Sequence, residues 1–194
     1  MATAVEHTPS VAERYAALPE GTLAQLIGGE IVMSPAPVPF HQRYVTRLAS
    51  LMLAFVEQHG LGEVFVSPID VVFDNGDTYQ PDIVFVAAER LDIIGEKCIE
   101  GSPDLVVEVL SLSNAYYDLR AKKAVYEQCG VKEYWIVDAL KHGTIEVYQN
   151  ISGEFRLHSH STTSSPQPHK VSSLLLAGLE VDLDYLFAPL RRPR

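Results

Sequence analysis

Cysteine is scarce: Cys98 and Cys129 are the only two in 194 residues. They form no Cys-x-x-Cys pair and neither stands near a histidine at zinc-ligand spacing, which excludes a disulfide scaffold and a structural zinc module and leaves two reduced thiols. Long hydrophobic runs are missing too, so no membrane-spanning helix is expected. Residues 1–10 hold no basic segment followed by an apolar core, and the expectation is therefore cytoplasmic residence. Positive charge is short, with 15 Lys and Arg against 25 Asp and Glu and a net charge of −10. That balance argues against a broad, nonspecific hold on nucleic acid, so any polyanion must meet a local patch. Candidates are Arg43 and Arg47, then Arg120, Lys122 and Lys123, then Arg191, Arg192 and Arg194; scattered solvated charge explains most of them equally well. A Gly-rich phosphate loop, a Ser/His/Asp arrangement and an internal repeat are also missing.

What is present is enough apolar residue, 47% of the chain, for one sizeable core. The expectation is a single domain over residues 1–194, with a core at about 23–187. Ser10-Val11-Ala12-Glu13 has the form of a capping box and predicts a short helix to about Ala17. Gly28-Gly29 between two apolar runs predicts an N-terminal β-hairpin. Pro35, Pro37 and Pro39 predict a loop, after which helical spacing of Tyr44, Val45, Leu48, Met52, Phe55 and Val56 predicts a helix over 41–59. Strands are expected at 64–66, 69–73, 133–137, 145–148 and 155–158, irregular structure at 88–102, a surface loop at 159–169 and a short helix at 181–187. A helix capped at Ser113-Asn114 should run to about Gln128 and stop at Gly130. Strands apolar on both faces, set amid helices, point to an α/β or α+β fold with a mixed sheet flanked by helices.

Two of the apolar runs carry acids: Gln80-Pro81-Asp82-Ile83-Val84-Phe85-Val86 and Pro103-Asp104-Leu105-Val106-Val107-Glu108-Val109-Leu110. A carboxylate in a buried strand needs a cation or hydrogen bonds to stay charged. Asp82 and Glu108 could supply two oxygens to a hard cation such as Mg²⁺ if their strands are neighbours. Such an ion polarises a phosphoryl oxygen and acidifies a bound water, which makes phosphodiester hydrolysis the natural reaction class. On the following helix Asp118, Lys122 and Tyr126 lie four apart and share a face, whereas Lys123 is turned about 100° away, so Lys122 is the lysine expected beside the acids. Each residue also has a plainer reading. Asp82 follows a proline at a strand start, where an Asp often only accepts backbone hydrogen bonds. Glu108 and Lys122 could be a buried ion pair with no metal. His41 could be a packed or capping histidine, and Glu30, just after the hairpin turn, a surface glutamate. Asp104, Asp118 and Asp138 read as caps, turns or ion-pair partners.

At these residues the chain resembles the Uma-type restriction-endonuclease family, a bacterial group within the PD-(D/E)xK nuclease superfamily. The likeness covers about residues 23–187. It is carried by Gly29-Glu30-Ile31-Val32-Met33-Ser34-Pro35, by His41, by the two acid-bearing runs, by Asp118, Lys122 and Tyr126, and by Gly130-Val131-Lys132-Glu133-Tyr134-Trp135-Ile136-Val137-Asp138. The resemblance implies a restriction-endonuclease-like core with Mg²⁺ or Mn²⁺ held by Asp82, Glu108 and the backbone carbonyl of Val109, with Glu30 and His41 beside them. It also implies DNA as substrate and a homodimer, for which apolar strands such as 134–137 in need of cover give weak support. The superfamily lysine belongs two residues after the acid, where this chain has Leu110; Lys122 on the helix stands in for it. The expected function is a divalent-metal-dependent endodeoxyribonuclease. The alternative, suggested by the −10 charge and the displaced lysine, is a non-catalytic interaction or nucleic-acid-binding module on the same core.

Overall fold

Ser10 caps the first helix, α1 (Val11–Ala16), through the reciprocal box with Glu13. Gly28 and Gly29, at φ of 56° and 80°, turn the hairpin of β1 (Ala24–Ile27) and β2 (Glu30–Met33), a left-handed pair that a Cβ would oppose. The long helix α2 (Pro39–His59) begins two residues before its expected start, because a proline at the first helical position has no needed N–H to lose and already holds a helical φ. It buries Val45, Leu48, Met52 and Val56 and stops at Gly60 in the left-handed conformation. The computed structural model describes residues 8–110, 117–139 and 143–190. The expected cap at Ser113-Asn114, the side chains of Asp118 and Arg120, and Arg191, Arg192 and Arg194 lie outside the described residues.

The remaining elements are β3 (Gly62–Val66), β4 (Asp70–Val72), β5 (Thr78–Tyr79), β6 (Ile83–Ala87), β7 (Cys98–Glu100), β8 (Leu105–Val109), α3 (Tyr117–Gln128), β9 (Glu133–Asp138), β10 (Thr144–Ile151), β11 (Glu154–Thr162), β12 (Lys170–Ser172), β13 (Glu180–Asp182) and α4 (Leu183–Leu186). Six strands form a mixed sheet in the order β11-β10-β9-β8-β6-β3, in which only β8 and β9 run parallel. A five-stranded sheet runs β2-β1-β5-β4-β7, and β12 pairs with β13. Alternation along each strand divides the core between the two faces of the large sheet. Ile83, Phe85, Leu105, Val107, Trp135 and Val137 pack against α2 and α4; Val84, Val106 and Tyr134 pack with Tyr126 of α3 and with Phe73 and Tyr79 from the smaller sheet. The fold is mixed α and β with sheets flanked by helices, as the sequence predicts.

Several expectations change. The stretch 88–102 contains a 3-10 segment, Ala88–Ile93, and β7, whose three residues are too few to display a period. The loop at 159–169 yields its first residues to β11: Ser159, His160 and Ser161 pair with Val147, Glu146 and Ile145, since backbone pairing at a sheet edge needs no apolar side chains. The helix at 181–187 shortens to α4, because Glu180–Asp182 pairs with β12 and Asp182 then caps the turn. Tyr134, Trp135 and Val137 are fully buried within their own chain, so their apolarity calls for no second copy. No helix among the described residues is long and apolar enough to cross a membrane.

Candidate functional site

Pro81 and Asp82 lead into β6, and β6 runs antiparallel to β8 with Ile83 opposite Val107. Continuing that register by one step sets Asp82 across from Glu108, on the face that carries Val84 and Val106. Asp82 is fixed there by its own hydrogen bonds. The Val109 N–H donates to Oδ2 at 2.7 Å, and His41 Nε2, from the first turn of α2, lies 3.2 Å from the same oxygen. Burial alone would hold the His41 imidazole down, but the Asp82 carboxylate, the Val109 carbonyl and the charge of Glu108 outweigh it, and the net displacement is upward. His41 Nδ1 is buried without a hydrogen-bond partner.

Glu108 occupies a position that an apolar strand would give to a valine, and α3 compensates it. Lys122 and Tyr126, four apart on one helical face, both reach it. Lys122 Nζ lies 3.1 Å from each carboxylate oxygen, and the Tyr126 hydroxyl donates to Oε1 at 2.7 Å. The side chains of Lys122 and Glu108 are only 8% and 9% exposed. Burial pushes the Glu108 carboxyl up, Lys122 pulls it back, the nearby Asp82 charge adds to the rise, and it comes to stand at about 6. Lys123 points elsewhere, its ammonium 3.5 Å from the centre of the Tyr148 ring.

The structure thus brings together Asp82, Glu108, Lys122 and His41, with the Val109 carbonyl facing the His41 ring. It does not bring Glu30 to them: that residue is exposed on β2 opposite Ile27 and makes no hydrogen bond or ion pair to the cluster. Arg43 and Arg47 serve the chain itself: Arg47 donates to the carbonyls of Tyr185 and Leu186 at the end of α4, and Arg43 to those of Ala188 and Pro189 just beyond it. Asp104 is an ion-pair partner, 2.9 Å from Arg90 and 2.7 Å from Lys132, and also accepts the Ala87 N–H. The spacing of four places Tyr126 on the Lys122 face, and its hydroxyl on Glu108 is the contact that this spacing signals.

Among the described residues no group of three or more His, Cys, Asp or Glu side chains forms a metal cage. A hard cation such as Mg²⁺ does not require one, since it keeps waters and uses one or two carboxylates together with substrate oxygens. Of the roughly four lone-pair positions on the Glu108 carboxylate, Lys122 and Tyr126 occupy three, while Oδ1 of Asp82 accepts no hydrogen bond among the described residues. Two carboxylates with spare oxygen capacity and a neighbouring carbonyl fit Mg²⁺ or Mn²⁺, and the lack of any cysteine donor disfavours a soft metal.

The family model Uma2, described as "Putative restriction endonuclease", matches residues 12–184. The chain belongs to the Uma2 family. No match was found among curated proteins. Among solved structures, this Uma2 chain is similar to a protein of Anabaena variabilis ATCC 29413 described as a putative nuclease belonging to DUF820. The two are 20% identical with a TM-score of 0.69, over 93% of this chain and 98% of the other. That likeness concerns the fold.

Proposed function

We propose that this Uma2 protein is a divalent-metal-dependent nuclease that hydrolyses DNA phosphodiester bonds. Asp82, Glu108 and the Val109 carbonyl are the oxygens that hold the ion, and Lys122 is the cationic partner. The observation that carries the reading is the convergence of Asp82, Glu108 and Lys122 from two strands and a helix, with Lys122 Nζ 3.1 Å from both Glu108 oxygens. When bound, Mg²⁺ or Mn²⁺ supplies Lewis-acid polarisation of the phosphoryl oxygen and a more acidic water. The Lys122 ammonium offers positive charge where the phosphoryl group gains negative charge. His41 holds Asp82 in place from outside the sheet. Purified protein should nick plasmid DNA with Mg²⁺ or Mn²⁺, and Glu108→Ala should abolish it; cleavage unchanged in the variant removes this site. The buried contact of Glu108 with both Lys122 and Tyr126 favours a second reading, a structural ion pair on a non-catalytic core. Absence of divalent-ion binding in calorimetry of the folded protein would select it.

A further inference from the structure

Tyr126 presents the only hydroxyl among the described residues that donates to Glu108. The donor distance of 2.7 Å is that of a short hydrogen bond to a charged acceptor, and the residue is fully buried. The ring cannot easily swing away. Phe73, Tyr79 and Tyr134 stand 5.6, 5.7 and 5.4 Å from it, centre to centre, from the residue after β4, from β5 and from β9. Lys122, by contrast, reaches the same carboxylate on a flexible four-carbon stem and lies equally close to both oxygens, so it supplies charge without choosing an orientation. The hydroxyl does choose: it takes a place on Oε1 and leaves the spare capacity of Glu108 on Oε2.

We propose that Tyr126 is a positioning residue for the Glu108 carboxylate, a rigid hydroxyl that turns Oε2 toward a divalent cation shared with Asp82. The proposal rests on the metal-dependent reading above and adds a residue to it. Hydrogen-bond partners behind a metal-ligating carboxylate commonly change metal affinity 10–100-fold when removed.

The test compares wild type with Tyr126→Phe, which keeps the ring and removes one oxygen. Titration of the full chain with Mn²⁺ by calorimetry should show affinity weakened about 10-fold. Plasmid cleavage at limiting Mn²⁺ should fall about 10-fold and recover at saturating Mn²⁺, in protein whose folded fraction by Trp135 fluorescence matches wild type, a match that a merely loosened fold would fail. Equal Mn²⁺ affinity in the two proteins overturns the positioning role while the metal-dependent reading stands. Should wild type itself take up no Mn²⁺, that reading falls, and crystal structures decide the remainder: a Glu108 carboxylate rotated in Tyr126→Phe supports the anchor, and one unmoved overturns it. If Tyr126→Phe does not fold, the wild-type hydroxyl proton is the readout. In protein labelled at tyrosine Cζ it should exchange slowly and show an NOE to the Glu108 methylenes; exchange as fast as that of surface tyrosines overturns the anchor.

Discussion

Replacing Glu108 by Gln in the metal-free protein removes a charge that the fold disfavours on balance. The carboxyl stands at about 6 against an ordinary value near 4.5. Its ionised form is therefore disfavoured in the fold by about 2 kcal/mol at neutral pH relative to the unfolded chain, taking ~1.4 kcal/mol per pH unit. That displacement already includes the attraction of the Lys122 ammonium, so Gln, which resembles the protonated carboxyl beside the same lysine, escapes it whole. The Gln variant is therefore expected to be more stable than wild type at pH 7, by about 2 kcal/mol. Because the native carboxyl binds its proton more tightly than the unfolded one, its contribution is greatest below pH 4.5 and is lost as pH rises through about 6. Wild type should therefore lose stability relative to Glu108→Gln across that window, by about 2 kcal/mol in total. Urea unfolding followed by fluorescence of Trp135, the single tryptophan and fully buried, reads both proteins at half-unit pH steps. Parallel stability curves from pH 4 to 7 would refute the reasoning, as would a Gln variant less stable than wild type at pH 7.

Asp104→Asn should cost about 3 kcal/mol in the same assay, because it leaves Arg90 and Lys132 without their shared carboxylate. Although burial alone would raise the Asp104 carboxyl, the Ala87 N–H and the two cations hold it below its usual value; the stability it confers is present above the unfolded pKa and lost as pH falls through the depressed one, so the variant should show a shallower acid limb. Gly62→Ala should cost about 2–3 kcal/mol, since Gly62 has φ of 144° and a Cβ there runs into the Val86 carbonyl of the neighbouring strand; a midpoint within error of wild type refutes it. Glu133→Gln should lower the urea midpoint by about 2 kcal/mol, because the Glu133 carboxylate accepts from Trp135, Ser173, Leu174 and Leu175 and ties the C-terminal segment to β9.

The elements that were legible in the sequence are those that carry a local reason for their shape. Ser10 with Glu13, Gly28-Gly29, and Gly60 after an apolar helical stripe each act within a few residues, and each forms where the pattern places it. What escaped depends on partners far along the chain. β7 exists because β4 offers it an edge, and β12 and β13 exist because they meet each other across 10 residues. None has enough length for alternation to show. The start of α2 escaped for another reason: three prolines read as a loop, although the last of them can also open a helix.

The candidate site follows the same division. That Glu108 must find a cation could be read from its neighbours, since valines on both sides leave a carboxylate no water to turn to. That the cation is Lys122 rather than Lys123 followed from a helical turn, and the structure puts Lys123 on Tyr148 instead. The pairing of Asp82 with Glu108, however, is a matter of register, and register is set by the whole sheet. Ile83 opposite Val107 holds because both are fully buried against α2, and a slip of one residue would turn them toward α3 and carry the carboxylates into the α2 core. The apolar residues that take no part in chemistry are therefore what hold two like charges on one face of the sheet, and Lys122 and Tyr126 make that placement tolerable. A fold needing only stability would have no use for such an arrangement, because apolar side chains of similar volume fill a buried ion-pair site at equal or lower free energy.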